Sequence, residues 1–218
     1  MLQFKRLIDI SQPISTTSAV FPGDTEFKKE IVLTYEQSKI VNLTQFTMSP
    51  HIGTHIDAPA HIKGDMSEKS ELVGNMPLEP LIGEAYVVDL APCEGAISWS
   101  LVETKLSALT PLPSRILFRT QNKIRYDVFE EEYSFFATDL VNELNKRGVK
   151  VLGIDAPSAD HVRSKTLDAH HELDRNNMIW IENLDLSEVS EGRYILIAFP
   201  LKFMELEASP TRAVLLEI

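Results

Sequence analysis

Apolar residues recur mostly in short runs bounded by Gly, Pro, Ser and Asp, a spacing that predicts strands rather than long helices. Residues 6–10 predict a first strand, and residues 11–24 a polar loop closing on the turn signal Pro22-Gly23. Alternation over 27–35 and 41–48 predicts two more strands. Residues 63–80 carry no period and are broken by Gly64, Gly74, Pro77 and Pro80, a segment suited to covering a site. A strand follows at 84–90, and Ser100-Leu-Val-Glu103 has the capping-box spacing that opens a helix to about residue 109. Residues 115–119 read as a buried strand. The period then changes to 3.6 over 137–147, with Leu140, Val141 and Leu144 on one face and Gly148 as the stop.

Residues 149–154 predict a central strand. Beyond it, 155–177 combine a polar loop with a short helix bearing His170 and His171, and 178–181 return as a strand that ends at Glu182. Strands at 193–199 and 212–218 close the chain. No repeat, linker or low-complexity tract interrupts this order, so residues 1–218 are expected to form a single α/β domain with a mixed β-sheet and a few helices.

Composition adds exclusions. Hydrophobic residues make up 44% and charged residues 24% of the chain, an ordinary globular balance. A net charge of −11 opposes binding to nucleic acid or to an anionic membrane surface and leaves small molecules as partners. Cys93 is the only cysteine, so no intrachain disulfide can form. No run approaches the ~20 apolar residues of a membrane span. The chain is therefore expected to be cytoplasmic.

The chemistry concentrates at residues 49–61, Ser-Pro-His-Ile-Gly-Thr-His-Ile-Asp-Ala-Pro-Ala-His. His51, His55, Asp57 and His61 carry odd numbers and would share one face of an extended backbone, with Phe46, Met48, Ile52 and Ile56 turned to the core. Pro50 and Pro59 argue for a strand running into a loop. Imidazole and carboxylate together suit zinc, or manganese where oxygen contributes. The remaining histidines, His161, His170 and His171, lie in one later segment, where further ligands are to be sought, with Glu182 as an oxygen donor. Neighbouring residues on a helix point about 100° apart, which favours His170 over His171 as the ligand. His161 and His171 are expected to be structural or to support ligands through hydrogen bonds, a role open also to the carboxylates of Asp155 and Asp160.

His-Ile-Gly-Thr-His-Ile-Asp-Ala-Pro-Ala-His at 51–61 fits the pattern HxGxHxDxPxH, and the chain resembles the metal-dependent bacterial kynurenine formamidases of the cyclase-like superfamily. Gly153-Ile-Asp-Ala-Pro-Ser158, Ser164-Lys-Thr-Leu-Asp-Ala-His170, Pro200-Leu-Lys-Phe203 and Ala208-Ser-Pro-Thr-Arg-Ala-Val214 extend the resemblance over nearly the whole chain. It implies a swivelling β/β/α fold, usually dimeric. It further implies that His51, His55 and Asp57 hold one zinc ion, that Asp57 bridges to a second, and that His170 and Glu182 complete the second site, with manganese as an alternative metal. His61 would be the proton donor and acceptor, and Phe21, where the family commonly has tryptophan, would contact an aromatic substrate. The implied reaction is hydrolysis of N-formyl-L-kynurenine to L-kynurenine and formate, a step of tryptophan degradation. Two rivals are an isatin hydrolase-like enzyme opening a cyclic amide and a non-catalytic metal-bound interaction protein. No G-x-S-x-G elbow is present for a serine route.

Overall fold

The structure, a computed structural model, describes residues 4–64 and 66–218. In chain order the first part contains β1 (Arg6–Asp9), β2 (Lys28–Leu33), α1 (Tyr35–Ser38), β3 (Leu43–Thr47), β4 (His55–Asp57) and α2 (Ala60–Lys63). Three 3₁₀ turns at Lys69–Glu71, Val73–Asn75 and Glu79–Leu81 fill the aperiodic stretch. The rest comprises β5 (Ile82–Asp89), β6 (Gly95–Ile97), α3 (Trp99–Ser107), β7 (Arg115–Arg119), β8 (Ser134–Phe136), α4 (Thr138–Lys146) and β9 (Val151–Ile154). Then come α5 (Asp168–Arg175), β10 (Ile179–Glu182), β11 (Gly192–Ile197), β12 (Ala208–Pro210) and β13 (Val214–Glu217).

Nine strands make one sheet in the order β1-β13-β11-β5-β7-β9-β10-β4-β12. Its centre, β5-β7-β9-β10, is parallel, and both flanks are antiparallel, so the sheet is mixed as the strand-rich pattern predicted. Side chains alternate across it. Ile116 and Phe118 of β7, Leu152 and Ile154 of β9 and Trp180 of β10 pack with Val102 and Leu106 of α3, Leu140, Val141 and Leu144 of α4, and Ala169 and Leu173 of α5. The intervening residues Leu117, Val151, Ile179 and Ile181 join a second cluster that also holds Ile56 of β4 and Leu215 of β13. Residues from opposite flanks meet there because the sheet curls around that cluster. Each such fully buried aliphatic side chain contributes about 1.5–3 kcal/mol. Gly153 is needed at the centre of β9, since a Cβ there would lie 2.5 Å from Leu117 Cδ2 and 2.7 Å from Leu184 Cδ1. Among the described residues no helix is long and apolar enough to cross a membrane.

Two expectations fail locally. Phe46 does not face the core; it is 64% exposed, because β3 pairs only with β2 in a separate two-stranded ribbon. Alternation over 41–48 therefore marks a hairpin strand outside the main sheet. The helix expected from Ser100 starts instead at Trp99 with Ser98 as its N-cap, and Ser98 makes no side-chain capping bond. Asp139 Oδ2, from α4, accepts the Trp99 N–H at 3.1 Å, so a tertiary carboxylate replaces the local box. Strands β6, β8 and β12, of three residues each, are too short to show a period and went unanticipated.

Candidate metal centre and cavity

The strand β4 covers only three residues, but its pleat sets the site. Ile56 turns into the second core cluster, so His55 and Asp57 turn to the opposite face, the one occupied by Trp180 and the helices. Antiparallel register then puts Glu182 of β10 directly across from His55. Above them α5 delivers His170, buried, whereas His171 is exposed. His51 lies outside the strand, in a turn closed by Ile52 N–H to Ser49 C=O, and Gly53 (φ +67°) redirects the chain into β4. The odd-number rule thus holds within β4, while the turn, rather than an extended backbone, brings in His51. His61 comes from α2, two residues past its N-cap Pro59.

Together these residues form a cluster of imidazoles and carboxylates. Asp57 Oδ1 lies 3.0 Å from His51 Nδ1 and 3.4 Å from His55 Nε2, while its Oδ2 lies 3.7 Å from His170 Nε2 and 3.9 Å from His61 Nε2. Glu182 repeats this division, with Oε2 at 3.2 Å from His55 Nε2 and Oε1 at 3.4 Å from His170 Nε2. Both carboxylates therefore face two sides, although the resemblance implied a bridge only for Asp57. Among the described residues two ligand groups could hold an ion, His51 with Asp57 and His61, and His55 with Asp57 and Glu182.

The surrounding hydrogen bonds fix how these groups present themselves. Gly53 C=O can only accept, so His55 Nδ1 carries the proton of that 2.9 Å bond and Nε2 is turned to the carboxylates. Asp160 holds His170 in the same sense, taking its Nδ1–H at 2.6 Å and the backbone N–H groups of Ala169 and His170 at 3.0 Å. Trp180 Nε1 donates to Asp57 Oδ2 at 3.0 Å, the Ala159 N–H donates to Glu182 Oε1 at 2.7 Å, and Glu207 Oε1 is 3.3 Å from His51 Nε2. Sequence reasoning missed Trp180, of β10, and Glu207, just ahead of β12, which lie far along the chain from His51 and Asp57 and carry no local motif. After all of these bonds, His55 Nε2 and Asp57 Oδ1 remain buried without a hydrogen-bond partner among the described residues. Two such buried atoms 3.4 Å apart are costly unless a cation lies between them, and this donor set fits a divalent ion.

Charge follows the same logic. Burial alone would push His51 down, but the Asp57 and Glu207 carboxylates overcome it and raise its pKa to about 10. Burial would likewise raise Asp57 and Glu182, yet the facing imidazoles hold both below the ordinary carboxylate range. His61 is lowered by burial, which leaves it a neutral base. Away from the cluster, burial raises Asp155 to about 6 even though it accepts from Thr120 and Gln121. His161 stacks on Tyr133 with ring centroids 5.7 Å apart, and Lys165 is exposed.

The cluster forms the floor of a cavity of about 650 Å³, the size of small-molecule sites. Phe21 lines it and packs edge-on to Phe129 at 5.2 Å; Tyr133 adds a second aromatic surface.

An α/β fold with histidines and carboxylates at the base of such a cavity defines a candidate metal-centred small-molecule site. The chain belongs to the family described as "Putative cyclase", matched over residues 8–161. It is 41% identical to a kynurenine formamidase of Bordetella petrii over 214 residues, covering 98% of this chain and 99% of the relative. A kynurenine formamidase of Paracidovorax citrulli is 38% identical over 97% of this chain and 96% of its own. Among solved structures, one titled a potential metal-dependent hydrolase with cyclase activity matches at 28% identity with a TM-score of 0.80, covering 98% of each chain. Isatin hydrolase A from Labrenzia aggregata, at 20% identity, shares the fold with a TM-score of 0.84 over 97% of this chain and 93% of its own.

Proposed function

We propose that this chain is a cytoplasmic, metal-dependent arylformamidase that hydrolyses N-formyl-L-kynurenine to L-kynurenine and formate, acting as one domain over residues 1–218 and as a homodimer. The observation that carries the reading is the pair of orphaned buried atoms, His55 Nε2 and Asp57 Oδ1, at the floor of an aromatic-lined cavity. The kynurenine formamidases to which the chain is 38–41% identical support the substrate. The nine-stranded sheet, which pairs β1 with β13, supports a single domain.

In this reading His51, His55 and Asp57 would hold one zinc ion, and His170 and Glu182 would hold a second with Asp57 shared between them. Manganese is the alternative metal. A bound divalent ion supplies Lewis acidity towards the formyl carbonyl and acidifies water towards neutral pH. The protein's own residues do the rest. Phe21 and Phe129 hold the aryl ring, worth about 0.5–1.5 kcal/mol beyond buried area. His61, neutral at pH 7 and facing the cavity, takes the proton from the attacking water as the C–O bond forms, and returns it to the aryl nitrogen as the C–N bond breaks.

The test is metal analysis of the purified protein together with steady-state rates on N-formyl-L-kynurenine and on isatin. Up to two divalent ions per chain and a preference for the open-chain formamide are expected. A faster rate on isatin would reassign the substrate to a cyclic amide, and a metal-bearing protein inert to both would return it to a non-catalytic role.

A further inference from the structure

Among the described residues that line the cavity, Arg125 is the one lysine or arginine; the anionic side chains there include Asp24, Glu130, Glu132 and Glu207. Away from the metal-ligand floor, a carboxylate-bearing ligand would be repelled by that field except beside Arg125. The guanidinium is paired with Glu130, Nη1 to Oε1, at 3.5 Å, and both side chains are about half exposed, 51% and 47%. An ion pair this long and this solvated is worth little and gives up its partner readily.

The backbone that carries it is held firmly. Ile124 is buried at 7% exposure, the Tyr126 hydroxyl donates to Asp185, and Tyr126 C=O accepts the Ala19 N–H at 2.7 Å. Phe129, next to Glu130, packs against both Phe21 and Tyr133. The cavity lining thus combines the metal-ligand floor, an aromatic surface and the half-exposed Arg125–Glu130 pair.

We propose that Arg125 and Glu130 are the specificity pair that reads the α-amino acid end of the substrate, Arg125 taking the carboxylate and Glu130 the ammonium. The inference rests on the arylformamide reading above. A zwitterion carries the same two charges as the pair and replaces it with two charge-assisted contacts, whereas an aryl formamide without the amino acid offers neither.

The experiment compares KM for N-formyl-L-kynurenine with KM for N-(2-acetylphenyl)formamide, which keeps the formamide and the ketone but lacks the amino acid. In Arg125→Ala the wild-type KM preference for the amino acid substrate should shrink by about 10- to 100-fold, the worth of one charge-assisted contact. Arg125→Lys should recover part of it. The double variant Arg125→Glu with Glu130→Arg keeps an ion pair but reverses its polarity, and should remain defective. A preference unmoved in Arg125→Ala, or restored by the double variant, would show that the pair only folds the loop and would overturn the proposal. Wild-type protein that hydrolyses neither formamide would sink the activity reading by itself. Calorimetric binding of L-kynurenine against 2-aminoacetophenone then decides the pair: a preference for L-kynurenine that Arg125→Ala abolishes upholds it, and no preference overturns it.

Discussion

His61 and His51 show how the same side chain is set to opposite tasks by what surrounds it. His61 is pushed down by burial and keeps Nε2 3.9 Å from Asp57, too far for a hydrogen bond, so its nitrogen is open to the cavity. General acid–base groups contribute about 10²–10⁴-fold, so His61→Ala should lower kcat by that factor with metal content near wild type, measured by emission spectrometry. His61 also belongs to a ligand group with His51 and Asp57, and a metal-free His61→Ala protein rescued by added zinc would make it a ligand instead. His51 is raised to about 10 in the metal-free protein, so below that pH it carries a proton that an incoming ion must displace. Metal binding at pH 7–8 should therefore release protons and tighten as pH rises, seen as a dependence of calorimetric heat on buffer ionisation enthalpy. A heat independent of the buffer would refute the assignment. Most of this residue set was legible in the sequence because the histidines fall in two segments and β4 obeys alternation. Trp180 and Glu207 were not, because what recruits them is tertiary proximity to Asp57 and His51.

The element that most constrains the site is α5, whose start is built from an acidic side chain outside the helix. Leu167 sits at the N-cap in a left-handed conformation (φ 48°) and offers no side-chain bond, so Asp160 does the capping from seven residues upstream. The same carboxylate takes the His170 Nδ1–H, tying helix entry to ligand orientation. An Asp160→Asn variant keeps one acceptor oxygen and loses the charge. Its metal affinity should fall by about 10- to 100-fold, the usual cost of removing a ligand's hydrogen-bond partner, with the helix largely retained by circular dichroism. Unchanged affinity in a chelator competition would show that Asp160 only caps. Periodicity found α4 because its buried residues Leu140, Val141 and Leu144 recur at helical spacing, whereas α5 was legible only as a short helix bearing His170 within residues 155–177. The capping-box spacing misplaced the start of α3, where the carboxylate that meets the Trp99 N–H comes from Asp139, 40 residues away.

At the scale of the molecule, the fold class was legible because short apolar runs outnumber helical ones, but the curl of the sheet and the place of residues 28–47 were not. Those residues form a ribbon, β2 paired with β3, joined to no other sheet among the described residues. Ile31 and Phe46 share one of its faces, since Ile31 pairs with Thr44 and Lys29 with Phe46. They are 62% and 64% exposed, and Ile40 at the turn is 78% exposed. A lone two-stranded ribbon is marginal in water, and an apolar patch of this kind marks an interaction surface. Period-2 alternation could not reveal this, because a strand half-buried by its own chain and one half-buried by a partner have the same pattern. If the homodimer proposed above forms through this ribbon, wild-type protein should sediment as a dimer at micromolar concentration. Its melting temperature should then rise with protein concentration, since association stabilises by mass action. Replacing Ile31 and Phe46 together by Glu puts two carboxylates into the contact and should shift the population to monomer, leaving the far-ultraviolet spectrum of the main sheet intact. A dimer that survives both substitutions would move the contact to another face, and a wild-type protein that sediments as a monomer would remove the dimer altogether.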